Sequence, residues 1–171
     1  MLSNTLNTGE FNPYYAVYID KATDVDIVKG LKQNLDTVVN FYSNLPNEKH
    51  SYAYEAGKWT IKDILLHIID TERIFSYRAL RIGRKDTTAI AGFEQDDYVA
   101  NCYAEKRSLE SLIEEYKSVR LATISLFKSY EDDVLRHIGM ASGSPVSVRA
   151  IGYIITGHEN HHNQIIKERY F

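Results

Sequence analysis

The sequence predicts an all-α protein, a four-helix bundle with long connections between its helices. Four stretches of roughly 20 residues keep apolar side chains at helical spacing, and each would span about 30 Å as a helix. No stretch alternates apolar and polar residues between turn signals, as a half-buried strand would. A bundle lets four such helices bury their apolar faces together.

The chain is expected to divide into an N-terminal arm, residues 1–23, and a single bundle domain, residues 24–171. Asp24 is predicted to be the N-cap of the first long helix, which runs to about Asn44. Leu45-Pro46 ends this helix, because the residue before a proline is disfavoured in helical conformation.

The second long helix has the clearest beginning in the chain. Thr60 and Asp63 form a capping box, in which each side chain accepts a hydrogen bond from the other residue's backbone N–H. The helix is predicted to run from Ile61 to about Gly83, with His67 near its middle.

The remaining elements are two more long helices and the segments around them. The connection from about residue 84 to 107 contains helix-breaking residues and an acidic patch, and a short helix is expected near residues 97–103. The third long helix is predicted for residues 108–130, and the last begins after Ser147. Residues 139–145, rich in glycine and serine, are predicted to form a loop.

Composition excludes several classes of function. The formal net charge is −3 and no basic run is present, which argues against nucleic acid as the main partner. The apolar runs fall short of the ~20 residues that a membrane span needs. Cys102 is the only cysteine, so no disulfide can form within the chain. With no signal peptide evident, a cytoplasmic location is expected.

Three of the six histidines fall in one five-residue stretch of the predicted last helix, residues 158–162. His158 and His162 are four apart, so they share a helix face, and the other residues on that face are apolar. Two buried imidazoles need partners for their nitrogens. Either ordinary hydrogen bonds or one shared divalent metal ion could supply them, and the pair on one apolar face favours the metal.

A third ligand is then needed, because a catalytic zinc-type site has three protein ligands and an open position. His67 on the second helix is the candidate, since facing helices of a bundle can bring one histidine opposite two others. Asp63 and Asp70 flank it at helical spacing and could accept its ring N–H. His50 and His137 are interpreted as surface residues.

Residues 158–162 also match H-E-x-x-H, the zinc protease motif whose glutamate is a general base. The absence of an evident strand and the short remainder of the chain argue against such a protease. Glu159 stays a candidate base facing a metal-bound water, or a solvated side chain. Arg78 and Arg81 could bind a carboxylate of an anionic cosubstrate, or form a solvated or salt-bridged helix face.

The chain resembles the DinB-like (DinB/YfiT-type) family of metal-binding four-helix bundles from about Asp24 to its end. The resemblance rests on three segments: Trp59–His67 (WTIKDILLH), Gly92–Tyr98 (GFEQDDY) and Gly157–His162 (GHENHH). The family's three histidine ligands map onto His67, His158 and His162, the same residues that spacing selects.

The resemblance implies a divalent transition metal, Zn or Ni first, and a homodimer. It also implies one of several activities, since members include thiol S-transferases that use bacillithiol, mycothiol or glutathione, an isomerase, and proteins first called metal-dependent hydrolases. The leading hypothesis is a transferase that joins a small-molecule thiol to an electrophilic substrate. The alternatives are a metal-dependent hydrolase and a non-catalytic, stress-related metal-binding protein.

Overall fold

A computed structural model describes all 171 residues, and it confirms the all-α four-helix bundle. The helices are α1 (Ala16–Ile19), α2 (Ile27–Ser43), α3 (Ile61–Gly83), α4 (Gln95–Ala100), α5 (Leu109–Lys128) and α6 (Val148–Arg169). Short 3-10 turns lie at Leu2–Thr5, Pro13–Tyr15, Asn47–Lys49, Ala104–Lys106 and Val134–Arg136. None of the helices combines the length and the apolar character needed to span a bilayer.

Capping side chains determine where the helices begin. At α3 the backbone N–H of Asp63 donates to Thr60 Oγ1 at 3.2 Å, and Thr60 N donates to Asp63 Oδ2 at 2.8 Å, so the predicted capping box is present. At α2 the prediction was wrong by two residues, because Asp26 rather than Asp24 accepts from the Lys29 amide, at 2.9 Å. Asp24 instead forms an ion pair with the Lys29 side chain.

The four long helices form a ring in which α2 and α3 each pack against both α5 and α6. Consecutive helices α2 and α3 therefore lie diagonally opposite, as do α5 and α6. A diagonal connection must cross the end of the bundle, which explains why the segments before α3 and α6 are long.

The segment between α5 and α6 corrects the prediction of a loop over residues 139–145. It is an antiparallel hairpin of β1 (Ile138–Ala141) and β2 (Ser144–Ser147). Ser142 and Gly143 form its turn with φ of 52° and 73°, the left-handed conformation that matches strand twist. Four-residue strands are too short for their alternation to be recognised in the sequence.

Two further expectations need correction. The short helix of the connection lies at Gln95–Ala100, slightly before the predicted position. His50 and His137 are half-buried rather than on the surface, and His50 Nε2 lies 3.1 Å from the carbonyl oxygen of Leu45.

A layer of polar side chains crosses the centre of the bundle, and each long helix contributes to it. Arg120 on α5 is 0% exposed and binds Glu72 on α3 in a bidentate pair, with Nε and Nη2 donating at 2.8 and 2.9 Å. Across the diagonal it donates to both oxygens of Glu159 on α6, at 3.0 and 2.6 Å. Asn34 on α2 and Tyr116 on α5 donate two more hydrogen bonds to Glu159.

This polar layer separates two apolar clusters. Along each long helix, one charged or amide residue of the layer lies between residues of one cluster and residues of the other: Asn34, Glu72, Arg120 and Glu159. One cluster includes Val38, Leu65, Leu112 and Ile166, and the other includes Leu31, Phe75, Ile124 and Ile151.

The predicted N-terminal arm, residues 1–23, packs on α6. Glu10 forms an ion pair with Arg149, which lowers the pKa of the Glu10 carboxyl to about 2. α1 lies against Gly157, where a Cβ atom would come 1.7 Å from the carbonyl oxygen of Tyr18. Only glycine permits so close a backbone approach, and it brings the tyrosines of the arm next to the histidines of α6.

Replacing Arg120 tests the polar layer. Arg120→Leu should lower the free energy of unfolding by about 3–5 kcal/mol, because it leaves buried carboxylates without a cation. Burial raises the pKa of Glu159, and Arg120 opposes that effect. In the variant the folded-state pKa should rise further above the unfolded value, so the deficit relative to wild type should grow as the pH rises from 5.5 to 8.

Urea unfolding at several pH values measures this deficit. Lys117→Leu, on the same helix but in an exposed pair with Glu114, is the control and should change stability by less than about 1 kcal/mol. A deficit for Arg120→Leu that is equally small, or that does not depend on pH, would contradict the role given to the layer.

Candidate metal centre

The structure brings His67, His158 and His162 together, and we call these residues the histidine triad. His67 projects from α3, and the other two project from successive turns of α6. The Nε2 atom of His158 lies 3.2 Å from that of His67 and 3.0 Å from that of His162. One nitrogen from each ring lies within 4.8 Å of the other two.

The triad is electrically neutral at physiological pH. Burial lowers the pKa of His67 to about 4 and that of His162 to about 3. Burial also holds the pKa of His158 well below its ordinary value. Each ring therefore has one N–H and one free lone pair, which is the state in which imidazole binds a metal.

The donor set fits a divalent transition metal. Hydrogen bonds within the triad cannot satisfy all three rings. His158 Nε2 carries one hydrogen or one lone pair, yet it lies at hydrogen-bonding distance from the Nε2 atoms of both His67 and His162. A metal ion can accept all three lone pairs. Bonds of about 2.0–2.1 Å at tetrahedral angles would hold ligand nitrogens about 3.3 Å apart, close to the separations around His158. The triad can thus hold an ion and leave at least one position open.

Aromatic rings enclose the triad. The Trp59 ring lies 4.8 Å from the His67 ring and 6.3 Å from the His162 ring, measured between centroids. The Tyr18 ring approaches His158 edge-on at 5.3 Å. Trp59 is fixed in place by its position just before the α3 capping box, and Tyr18 by the contact of α1 with Gly157.

The side chain that approaches the second nitrogen of His67 differs from the two predicted. Thr71, one turn further along α3, has its Oγ1 3.5 Å from His67 Nδ1. Asp63 is engaged by Thr60 in the capping box, and Asp70 pairs with Arg73 at 3.1 Å. No hydrogen bond links either carboxylate to His67, because helix capping and an ion pair occupy them.

Glu159 does not reach the triad. Its carboxylate is 0% exposed and lies in the polar layer with Arg120. Adjacent residues of a helix point about 100° apart, so the helix that directs His158 towards the triad directs Glu159 into the bundle centre. A solvated position for Glu159, the alternative expectation, is also wrong.

The two predicted arginines lie outside the cavities that border the triad. Arg78 is buried and donates to Ser142 Oγ at 2.8 Å and to the Ala91 carbonyl oxygen at 3.3 Å. Arg81 pairs with Asp86 at 2.6 Å near the surface. Both arginines hold connecting segments against α3.

Two cavities reach the triad from different sides. The wide cavity, about 580 Å³, borders His162 and is lined by Tyr54, Gly57, Lys58, Trp59, Ile64, Asp96, His161, His162, Ile165, Arg169 and Tyr170. The narrow cavity, about 170 Å³, borders His67 and His158, and its other lining residues are Tyr14, Tyr15, Tyr18, Thr71, Phe75, Phe93, Glu94, Gln95, Ser142 and Ile154. The two cavities share no lining residue.

Sequence reasoning missed most of these lining residues. Tyr14, Tyr15 and Tyr18 come from the arm, and nothing in their local pattern indicates that the arm would reach His158. His161 also lines the wide cavity. Its place could have been predicted, because it directly precedes His162 on the same helix.

Comparisons with known proteins agree with this fold. A family model described as the DinB superfamily matches residues 31–166. No curated protein matches the chain. Among solved structures, YfiT from Bacillus subtilis has a TM-score of 0.70 at 14% sequence identity, with 94% of this chain and 92% of YfiT covered. YfiT is described as a probable metal-dependent hydrolase with an unusual four-helix bundle topology. At this identity the likeness shows a shared fold.

The neutral triad predicts how acid affects the metal-free chain. The folded-state pKa values lie below that of free histidine. The contribution of these residues to the free energy of unfolding is therefore fully present above about pH 6.5, and it is lost as the pH drops towards 4 and 3. Between pH 7.5 and 5.5 each buried histidine should remove about 1.4 kcal/mol from the free energy of unfolding. His67→Gln should reduce that loss by this amount.

Urea unfolding of chelator-treated protein at the two pH values measures the effect. His50→Gln, outside the triad, controls for the loss of an imidazole elsewhere in the chain. An unchanged dependence in His67→Gln would mean that this ring is not held neutral in the folded chain.

Proposed function

The chain belongs to the DinB superfamily, and from this membership and the histidine triad we propose that it is a metal-dependent transferase. It would join a low-molecular-weight thiol to an electrophilic second substrate. The metal ligands would be His67, His158 and His162.

The observation that carries this proposal is the pair of separate cavities. A group transfer brings two substrates to one centre, and here two cavities with no common wall border different histidines of the triad. A hydrolase needs one organic substrate and water, so hydrolysis would not require a second cavity at the triad.

Zn or Ni is the proposed ion, because imidazole donors suit both. Three neutral protein ligands leave the ion coordinatively unsaturated, unlike a structural zinc site, which has four. When bound, the ion would favour the deprotonated form of a thiol and so supply a nucleophile at neutral pH.

The wide cavity is the better site for the thiol. Lys58 and Arg169 line it, against one acidic residue, Asp96, and Arg169 Nη1 also donates to Tyr54 O–H at 3.2 Å. These cations suit carboxylates on the cosubstrate. In the reaction the thiol proton passes to solvent, the sulfur donates its electron pair to form a bond with the electrophilic carbon, and the leaving group departs with the pair from its broken bond.

The second candidate is a metal-dependent hydrolase, and the fold likeness to YfiT, with its description, favours it. In that case water would replace the thiol, and the ion would lower the pKa of this water to about 7. Glu159 could not serve as its base, since Arg120 holds it in the core. The homodimer and the cytoplasmic location expected from the sequence remain predictions.

Substrate tests separate the two candidates. With cobalt-substituted protein, cysteine or glutathione should change the visible spectrum, and 4-nitrobenzyl chloride should be consumed only when a thiol is present. Arg169→Gln should raise the KM for glutathione about fivefold to tenfold, through the loss of one charge-assisted hydrogen bond. Arg136→Gln, which lines neither cavity, is the control.

Turnover of 4-nitrophenyl acetate without thiol, together with an unchanged spectrum on thiol addition, would instead identify a hydrolase. Full metal binding with no spectral change and no turnover of either kind would leave the non-catalytic metal-binding protein.

A further inference from the structure

Aromatic side chains form much of the wall of the narrow cavity, and polar side chains such as Glu94 and Ser142 line another part of it. Five of its lining residues are aromatic: Tyr14, Tyr15, Tyr18, Phe75 and Phe93. Their rings meet edge-to-face, with Tyr14 and Tyr15 at 5.2 Å and 81°, and Tyr15 and Phe75 at 6.0 Å and 80°. Such walls present both ring faces and ring edges, the two surfaces against which another aromatic ring packs well.

The volume of the cavity matches one ring. It holds about 170 Å³, and an apolar cavity of about 150 Å³ is large enough to bind benzene. A second fused ring would have to extend beyond this volume. The wide cavity, at about 580 Å³ and with charged walls, imposes no such limit.

A ring in the narrow cavity would lie against the triad, because His67 and His158 form part of the wall. We propose that the narrow cavity binds a single planar aromatic ring, carried by the electrophilic substrate. This inference rests on the proposed function for the identity of the molecule that carries the ring. The size and flatness of the ring are inferred from the volume and the aromatic lining of the cavity.

The walls are held in place independently of any ligand. The Arg78 guanidinium lies 5.4 Å from the Phe75 ring centroid and 5.9 Å from that of Phe93, and it donates to Ser142 Oγ at the polar end of the cavity. The Arg78 side chain thus links the aromatic wall to the hairpin turn. Preformed walls lower the entropic cost of ring binding.

The opposite wall comes from the N-terminal arm. Tyr14, Tyr15 and Tyr18 precede residues 31–166, the region that the superfamily model matches. The contact of α1 with Gly157 determines how close these tyrosines lie to α6. Selectivity for a ring therefore depends on a segment outside the matched region.

The test uses full-length, zinc-loaded protein and three alcohols that differ only in their ring system. Benzyl alcohol has one planar ring, cyclohexylmethanol has a puckered ring of similar size, and 2-naphthylmethanol has two fused rings. Saturation-transfer NMR and calorimetry should give a dissociation constant for benzyl alcohol on the order of 1 mM. The other two should bind at least about tenfold more weakly, since one is not planar and the other is too large.

A matched pair of variants locates the binding. Phe93→Ala should weaken benzyl alcohol binding about fivefold or more, because one aromatic wall is lost. Phe171→Ala makes the same change at an exposed ring outside the cavity and should leave binding unchanged. Nuclear Overhauser contacts between the benzyl protons and the Tyr18 ring in wild type give a readout that does not depend on any variant folding.

Two results would overturn the inference: no binding of benzyl alcohol to folded, metal-loaded protein, or equal binding of cyclohexylmethanol. Metal content separates this failure from failure of the proposed function. A chain that binds no metal but selects the single planar ring contradicts the proposed function alone, whereas a metal-loaded chain without ring binding contradicts the inference alone.

Discussion

Arg120 is the residue on which the arrangement of the bundle depends most. Its guanidinium reaches a member of each of the other three long helices: Glu72 on α3, Glu159 on α6, and the Leu31 carbonyl oxygen on α2, at 3.2 Å. Buried ion pairs add little stability compared with apolar packing, but they are costly when mismatched. We infer that the main effect of Arg120 is to fix the register of the helices, because a shift of either glutamate by one turn would leave a buried charge unpaired.

That register also determines the site. Glu159 directly follows His158, and Glu72 directly follows Thr71, the residue that approaches His67. When Arg120 holds both glutamates at one level, the histidines of α3 and α6 face each other. Glu159, the predicted candidate base, binds Arg120 instead, so the triad provides only neutral donors. A metal ion there would keep its full charge, which favours anionic ligands such as a thiolate over neutral ones.

The sequence allowed much of the fold and the centre of the site to be predicted, for local physical reasons. Capping at Thr60 and the spacing of His158 and His162 depend on geometry within one helix, and the structure retains both. What could not be predicted depends on contacts between distant segments. The role of Glu159 requires knowing that Arg120 lies opposite it across the bundle. The tyrosine wall requires knowing that α1 packs on Gly157.

Metal analysis shows whether the triad binds one divalent ion. Untagged wild type, His162→Ala and His161→Ala would be compared by elemental mass spectrometry after reconstitution with Zn or Ni. His161 is the matched control, since it neighbours His162 and lines the wide cavity without belonging to the triad. We predict about one ion per chain in wild type and in His161→Ala, and loss of the ion in His162→Ala. No metal in wild type, or equal metal in wild type and His162→Ala, would mean that the triad is not a metal site.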